Sequence, residues 1–160
     1  MAEPGDVTGA ILSGGRGSRA GGIDKGLLEI DAEPAVVRVA RSLLSQVARI
    51  VVSANRNLER YAALGFNVVA DDVVGFAGPL AGIAAIAARV ETPWLLTVPV
   101  DCGDVPPRLL ESLSAAGVDD VDVCVAHDGE RRQPLFALYR VAAARMAPGC
   151  TCSRSGITSA

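Results

Sequence analysis

Two charged residues far apart in the chain, Lys25 and Asp101, carry most of the chemistry this sequence offers, together with the glycines that precede the first of them. An apolar run, Val7–Leu12, reads as a short buried strand. It breaks into a loop with five glycines, Gly14, Gly15, Gly17, Gly21 and Gly22, joined by Arg16, Arg19 and Lys25. Glycine lets the backbone turn sharply and approach a ligand closely, so that N–H groups converge on an anion. A strand ending in such a loop is suited to holding phosphate. Asp101 ends another apolar run, in Pro99-Val100-Asp101. A carboxylate facing phosphates is repelled unless a cation lies between them, and Mg²⁺ suits carboxylate plus phosphate oxygens. The other use open to Asp101 is to cap a helix beginning near Pro106, a task for which Asp104 is better placed.

Two familiar phosphate loops fit poorly. A P-loop needs four residues between its first glycine and a Gly-Lys-Ser/Thr, and here the lysine lies in Asp24-Lys25-Gly26. The run from Gly15 to Ala20 fits a dinucleotide fingerprint, but that fold also wants an acidic residue ending the next strand. The next strand-like run, Arg49–Ala54, is followed by Asn55. His127 is the sole histidine and reads as a turn residue, so no Ser–His–Asp set can be argued. The four cysteines, Cys102, Cys124, Cys150 and Cys152, show no Cys-x-x-Cys spacing, which disfavours structural zinc and fits a reducing, cytoplasmic setting.

The elements that must position these groups follow from pattern. At 160 residues, half of them apolar and 4% aromatic, the chain makes one domain with an aliphatic core. A net charge of −3 argues against nucleic acid and anionic membrane as partners. No signal peptide or membrane span is read. Strands are predicted near Val7–Leu12, Ile50–Ser53, Asn67–Ala70, Trp94–Val98, Val121–Ala126 and Leu135–Leu138. Helices are predicted near Ala35–Gln46, Leu58–Leu64, Leu80–Arg89 and Arg108–Ala115. This alternation implies an α/β fold, a three-layer α/β/α sandwich with a mostly parallel sheet. Ligands of such sheets bind beyond the carboxyl ends of the strands. Polar residues collect there: Ser53 and Asn55, then Asp71 and Asp72, then Asp101. Residues 1–146 are expected to form the domain and 147–160 an irregular tail.

The pattern from Leu12 to Lys25, Leu-Ser-Gly-Gly-x-Gly-x-Arg-x-Gly-Gly-x-Asp-Lys, resembles the signature of nucleotidyltransferases with a Rossmann-like fold of the glycosyltransferase-A or nucleotide-diphospho-sugar transferase type. Within them it is most similar to the molybdenum cofactor guanylyltransferases. Gly78-Pro-Leu-Ala-Gly82, Pro99-x-Asp101 and Arg132-Gln-Pro-Leu-Phe-Ala137 follow in the family's order. The resemblance implies transfer of GMP from GTP to the phosphate of molybdopterin, with Mg²⁺ as cofactor. By position, Leu12, Ser13, Gly14, Gly15 and Gly78 line the nucleotide, with Arg19 and Lys25 on its phosphates. Asp71 contacts the nucleoside, Asp101 holds the metal, and Arg132–Ala137 faces the acceptor. The family usually has Asn where this chain has Ser53, and Asn55 is the substitute. Molybdoenzymes and other cofactor-biosynthesis proteins are the implied protein partners, with a monomer or weak homo-oligomer. From Ala147 onward the chain departs from the family, whose Asn-rich acceptor segment is missing, so it reads as truncated or altered and transfer is expected to suffer more than GTP binding. Other readings stay open: a CTP or sugar-phosphate transferase, a nucleotide-binding protein without catalysis, or a dinucleotide-dependent oxidoreductase.

Overall fold

The computed structural model describes residues 1–13, 23–71, 78–115, 121–146 and, as backbone, 156–159. Its centre is a seven-stranded sheet. The strands are β1 (Val7–Leu12), β4 (Arg49–Ser53), β5 (Asn67–Val69), β6 (Trp94–Pro99), β7 (Val123–His127), β8 (Arg132–Arg140) and β9 (Gly156–Ser159). Their spatial order is β5-β4-β1-β6-β8-β7-β9. The first four are mutually parallel, β8 runs antiparallel to β6 and β7, and β9 is parallel to β7. A separate hairpin pairs β2 (Glu29–Ile30) with β3 (Glu33–Pro34).

Every residue of β1 is buried, as a strand covered on both faces requires. Its side chains divide by the two-residue strand period. Val7 and Ile11 join one core with Val36, Val39 and Leu43 of helix α1 (Ala35–Leu43) and Leu109, Leu110 and Leu113 of α4 (Leu109–Ala115). Ala10 and Leu12 join the other, with Ile83, Ile86 and Ala87 of α3 (Pro79–Ala87) and Val141 and Ala144 of α5 (Val141–Ala144). The three expected layers are therefore present. Thr8, also inward, is satisfied by a 2.7 Å bond to the Thr92 hydroxyl. Helix α2 (Leu58–Ala63) packs on β5.

The structure amends the sequence reading in places. Among the described residues Asp104 is bonded not to a helix start but to Arg38, which grips it with two bonds of 2.9 Å. The start of α4 is served by buried Gln46, whose Oε1 accepts from Leu110 N–H and whose Nε2 donates to the Pro106 carbonyl, both at 3.0 Å. Helix α1 ends at Leu43, three residues short of the predicted Ala35–Gln46. The expected irregular tail contains β9, whose backbone pairs parallel with β7 from Cys124↔Gly156 to His127↔Ser159. Trp94 is core, as expected, with Arg140 4.6 Å over its ring.

Candidate active site

Four parallel strands finish on one rim. Leu12 stands in register with Ser53 on one side and Pro99 on the other, and Ser53 with Val69 beyond it. The backbone carries the rim further. Ser13 N–H donates to the Ser53 carbonyl at 2.8 Å, and Val100 N–H to the Leu12 carbonyl at 3.1 Å. From β1 the chain fills β4 and β5 on one side, then returns to β6 on the other. Open α/β sheets take ligands at such a reversal.

Lys25 and Asp101 meet above it. Lys25 Nζ donates to Asp101 Oδ2 at 2.8 Å, and both side chains are about half exposed, at 56% and 52%. An ion pair so exposed adds little to stability, so each partner can exchange the other for a ligand at small cost. A cleft of about 410 Å³ opens beside the pair, bounded by Leu28, Ala35, Arg38 and Val100.

The other candidates divide. Asn55, exposed, accepts the Asp71 N–H on its Oδ1 at 2.9 Å, which ties the ends of β4 and β5 together. Ser53 is only 3% exposed. Its Oγ abuts Gly82 so closely that a Cβ there would collide with it. Asn55, unlike Ser53, is among the exposed polar residues that follow β4, with Arg56 and Asn57. Gly78 is the exposed N-cap of α3, with Pro79 at the first helical position. Gly14, Gly15 and Arg19, and with them Asp72, lie outside the described residues.

Tyr61, and the bonds that gather around it, are not foreseen from the sequence. Tyr61, fully buried in α2, donates its hydroxyl to Asp24 Oδ1 at 2.5 Å and lies 2.5 Å from Ser13 Oγ. Asn57 Nδ2 donates to the other Asp24 oxygen at 2.9 Å, and Gly26 N–H donates to Oδ1 at 3.2 Å. The available signal was Tyr61 itself, a large aromatic ring in a short helix otherwise made of Leu, Glu, Arg and Ala. Burial, then the bond to Asp24, drives its hydroxyl far above the ordinary range, so it stays protonated. Cys102, next to Asp101, is partly buried. Burial is the main cause that pushes its thiol up to about 11.

Beyond β6 the same rim continues over the antiparallel strands. Thr97 pairs with Ala137, so the start of β8 overhangs the end of β6. There a mostly apolar cleft of about 600 Å³ is lined by Pro106, Leu109, Ala126, His127, Gln133 and Phe136. The turn below it is built on Asp128, whose Oδ1 accepts the N–H groups of Glu130 at 2.9 Å and Arg131 at 2.8 Å. Gln133 Nε2 donates to Oδ2 at 2.5 Å. These bonds, the backbone pair first, hold the Asp128 carboxyl down to about 2, from 3.8. A lowered carboxyl stabilises the fold above its unfolded value and loses that effect as pH falls through the folded value. Asp128→Ala is therefore expected to melt below the native chain at pH 7, and the gap is expected to close as pH falls from about 4 towards 2. Thermal melts across that range test it, and a gap unchanged at pH 2 would show that ionisation is not the source.

Comparison with known proteins shows what the chain is similar to. The family model of the MobA-like NTP transferase domain matches residues 9–155. The chain is 45% identical over 145 residues to the molybdenum cofactor guanylyltransferase of Bordetella petrii, covering 88% of this chain and 74% of that one. It is 41% identical over 139 residues to that of Vibrio parahaemolyticus, covering 87% and 71%. Among solved structures it is similar to molybdopterin-guanine dinucleotide biosynthesis protein A of Archaeoglobus fulgidus, with TM-score 0.61 and 22% identity over 86% of this chain and 69% of that one. That likeness shows the same α/β fold.

Proposed function

The chain belongs to the MobA-like NTP transferase family, and from that premise we propose that it moves GMP from GTP onto the phosphate of molybdopterin, releasing pyrophosphate. An oxygen of the acceptor phosphate attacks the α-phosphorus. The bond from the α-phosphorus to the α,β-bridging oxygen breaks, and pyrophosphate leaves with that electron pair. The acceptor is already a nucleophile, so no covalent enzyme intermediate is needed. The protein's work is to bring two anions together and offset the charge that develops.

The observation that carries this reading is the meeting of Lys25 and Asp101, 76 positions apart, at 2.8 Å over the reversal point of the sheet. Lys25 is assigned to the triphosphate, where its ammonium offsets charge on the departing pyrophosphate. Arg19 and the amides of Gly14 and Gly15 are assigned the same task from the sequence. Asn55 and Asp71, already joined, are assigned to the nucleoside.

Mg²⁺ fits the donors present. Among the described residues no three His, Cys, Asp or Glu side chains converge, so no all-protein cage is offered. One exposed carboxylate beside an anion site suits an ion that shares its coordination with substrate phosphates and water. Lys25 Nζ already stands as the cation against that carboxylate. Asp101 would hold the metal, which would supply positive charge to offset that of the substrate phosphates.

The apolar cleft under the start of β8 is assigned to the acceptor. Its surface is mostly apolar, from Pro106, Leu109, Ala126 and Phe136, with His127 and Gln133 among its polar edges, a lining that suits a heteroaromatic ring. Calorimetric titration with GTP and with CTP, each with and without Mg²⁺, tests the nucleotide assignment. GTP is expected to bind more tightly than CTP, and more tightly with Mg²⁺ than without. Equal affinity for both nucleotides would overturn the guanine assignment.

A further inference from the structure

Lys25 sits in a short 3₁₀ turn, Lys25–Leu27, with Asp24 as its N-cap. This arm follows the glycine loop and has to return to the end of β1 for its ammonium to stay over the rim. The return is made by side chains from two other parts of the chain. A carboxylate has only acceptors, so the Tyr61 hydroxyl gives its one proton to Asp24. The 2.5 Å contact with Ser13 then requires Ser13 to donate to the Tyr61 oxygen. The bonds thus run in one direction, from Ser13 on the end of β1, through Tyr61, to Asp24, the residue before Lys25. Asn57 closes the chain from the other side, with φ of 53°, the left-handed conformation that Asn tolerates better than most residues.

Packing points the same way. Gly26 is buried, and a Cβ on it would run into Tyr61 Oη and Ser13 Oγ. The space next to Lys25 is therefore filled by the bonded hydroxyls, and the arm is clipped against them. Among the described residues the bonds of the Tyr61 hydroxyl go to Ser13 and Asp24, and its effect on the ligand passes through them.

We propose that Tyr61 is a positioning residue for the nucleotide site, which through Asp24 and Ser13 clips the arm carrying Lys25 to the end of β1. The inference rests on the nucleotide reading given above. Losing the clip leaves Lys25 attached but frees its arm to move, which weakens the contact with the triphosphate.

The test is a double-mutant cycle on GTP affinity with Tyr61→Phe and Lys25→Ala, with thermal melts alongside. Tyr61→Phe is expected to weaken GTP binding about three- to tenfold, the range of one lost hydrogen bond. In the Lys25→Ala background the same change is expected to cost less than about twofold, because the residue it positions is gone. Asp24→Asn in the same cycle serves as a second variant, and as the main one if Tyr61→Phe fails to fold. Additive effects on affinity, or lowered melting with affinity intact, would overturn the proposal and leave the nucleotide reading standing. A native chain that does not bind GTP at all would overturn both.

Discussion

Asp101→Asn is expected to cut the rate of pyrophosphate release about a hundredfold or more, the scale of losing one preorganised electrostatic contact to a transition state. Asparagine nearly keeps the shape of the side chain and removes its charge, so the loss falls on metal affinity. Asp101 is half exposed and its ion-pair partner is too, so thermal stability is expected to change by no more than an exposed pair is worth, about 1 kcal/mol at most. The same change frees Lys25 from its competing carboxylate and takes a negative charge from an anion site. In metal-free buffer, GTP is therefore expected to bind Asp101→Asn at least as tightly as the native chain. Pyrophosphate release, melting and metal-free titration measured side by side check all three. A large drop in melting temperature with metal-dependent turnover intact would make Asp101 a structural residue.

Lys25→Ala is expected to weaken GTP binding about tenfold or more, since a charge-assisted bond is worth roughly 1.5–3 kcal/mol. Two effects add. The ammonium no longer meets the phosphates, and Asp101 is left unneutralised on a rim that must receive a triphosphate. Mg²⁺ can offset the second effect but not the first. The loss is therefore expected to be larger without the ion than with it. Calorimetry under both conditions measures this, and unchanged affinity would make Lys25 a solvated surface residue.

The layers of the fold were legible because each parallel strand centres on an apolar run and is followed by polar or glycine-rich residues. Val7–Leu12 matches β1 residue for residue. Lys25 and Asp101 were legible for the same reason: each follows a strand whose end had to reach the ligand rim. What stayed hidden depends on pairs distant in sequence. Asp104 has the residue type and offset of a helix cap, but Arg38 from α1 claims it. The cap duty passes to Gln46, 64 positions from Leu110. Tyr61 was passed over because its value lies in Asp24 and Ser13, 37 and 48 positions away. The strand Gly156–Ser159 is too short for periodicity to register, and only the free edge of β7 gives it a partner.

The most direct test of the account is product formation by the native chain supplied with GTP, molybdopterin and Mg²⁺, read as pyrophosphate release and as the mass of the dinucleotide product. The account predicts release that requires all three components and a product carrying GMP on the molybdopterin phosphate. Release that proceeds equally well with CTP in place of GTP, or a chain that binds GTP and yields no dinucleotide, would contradict it.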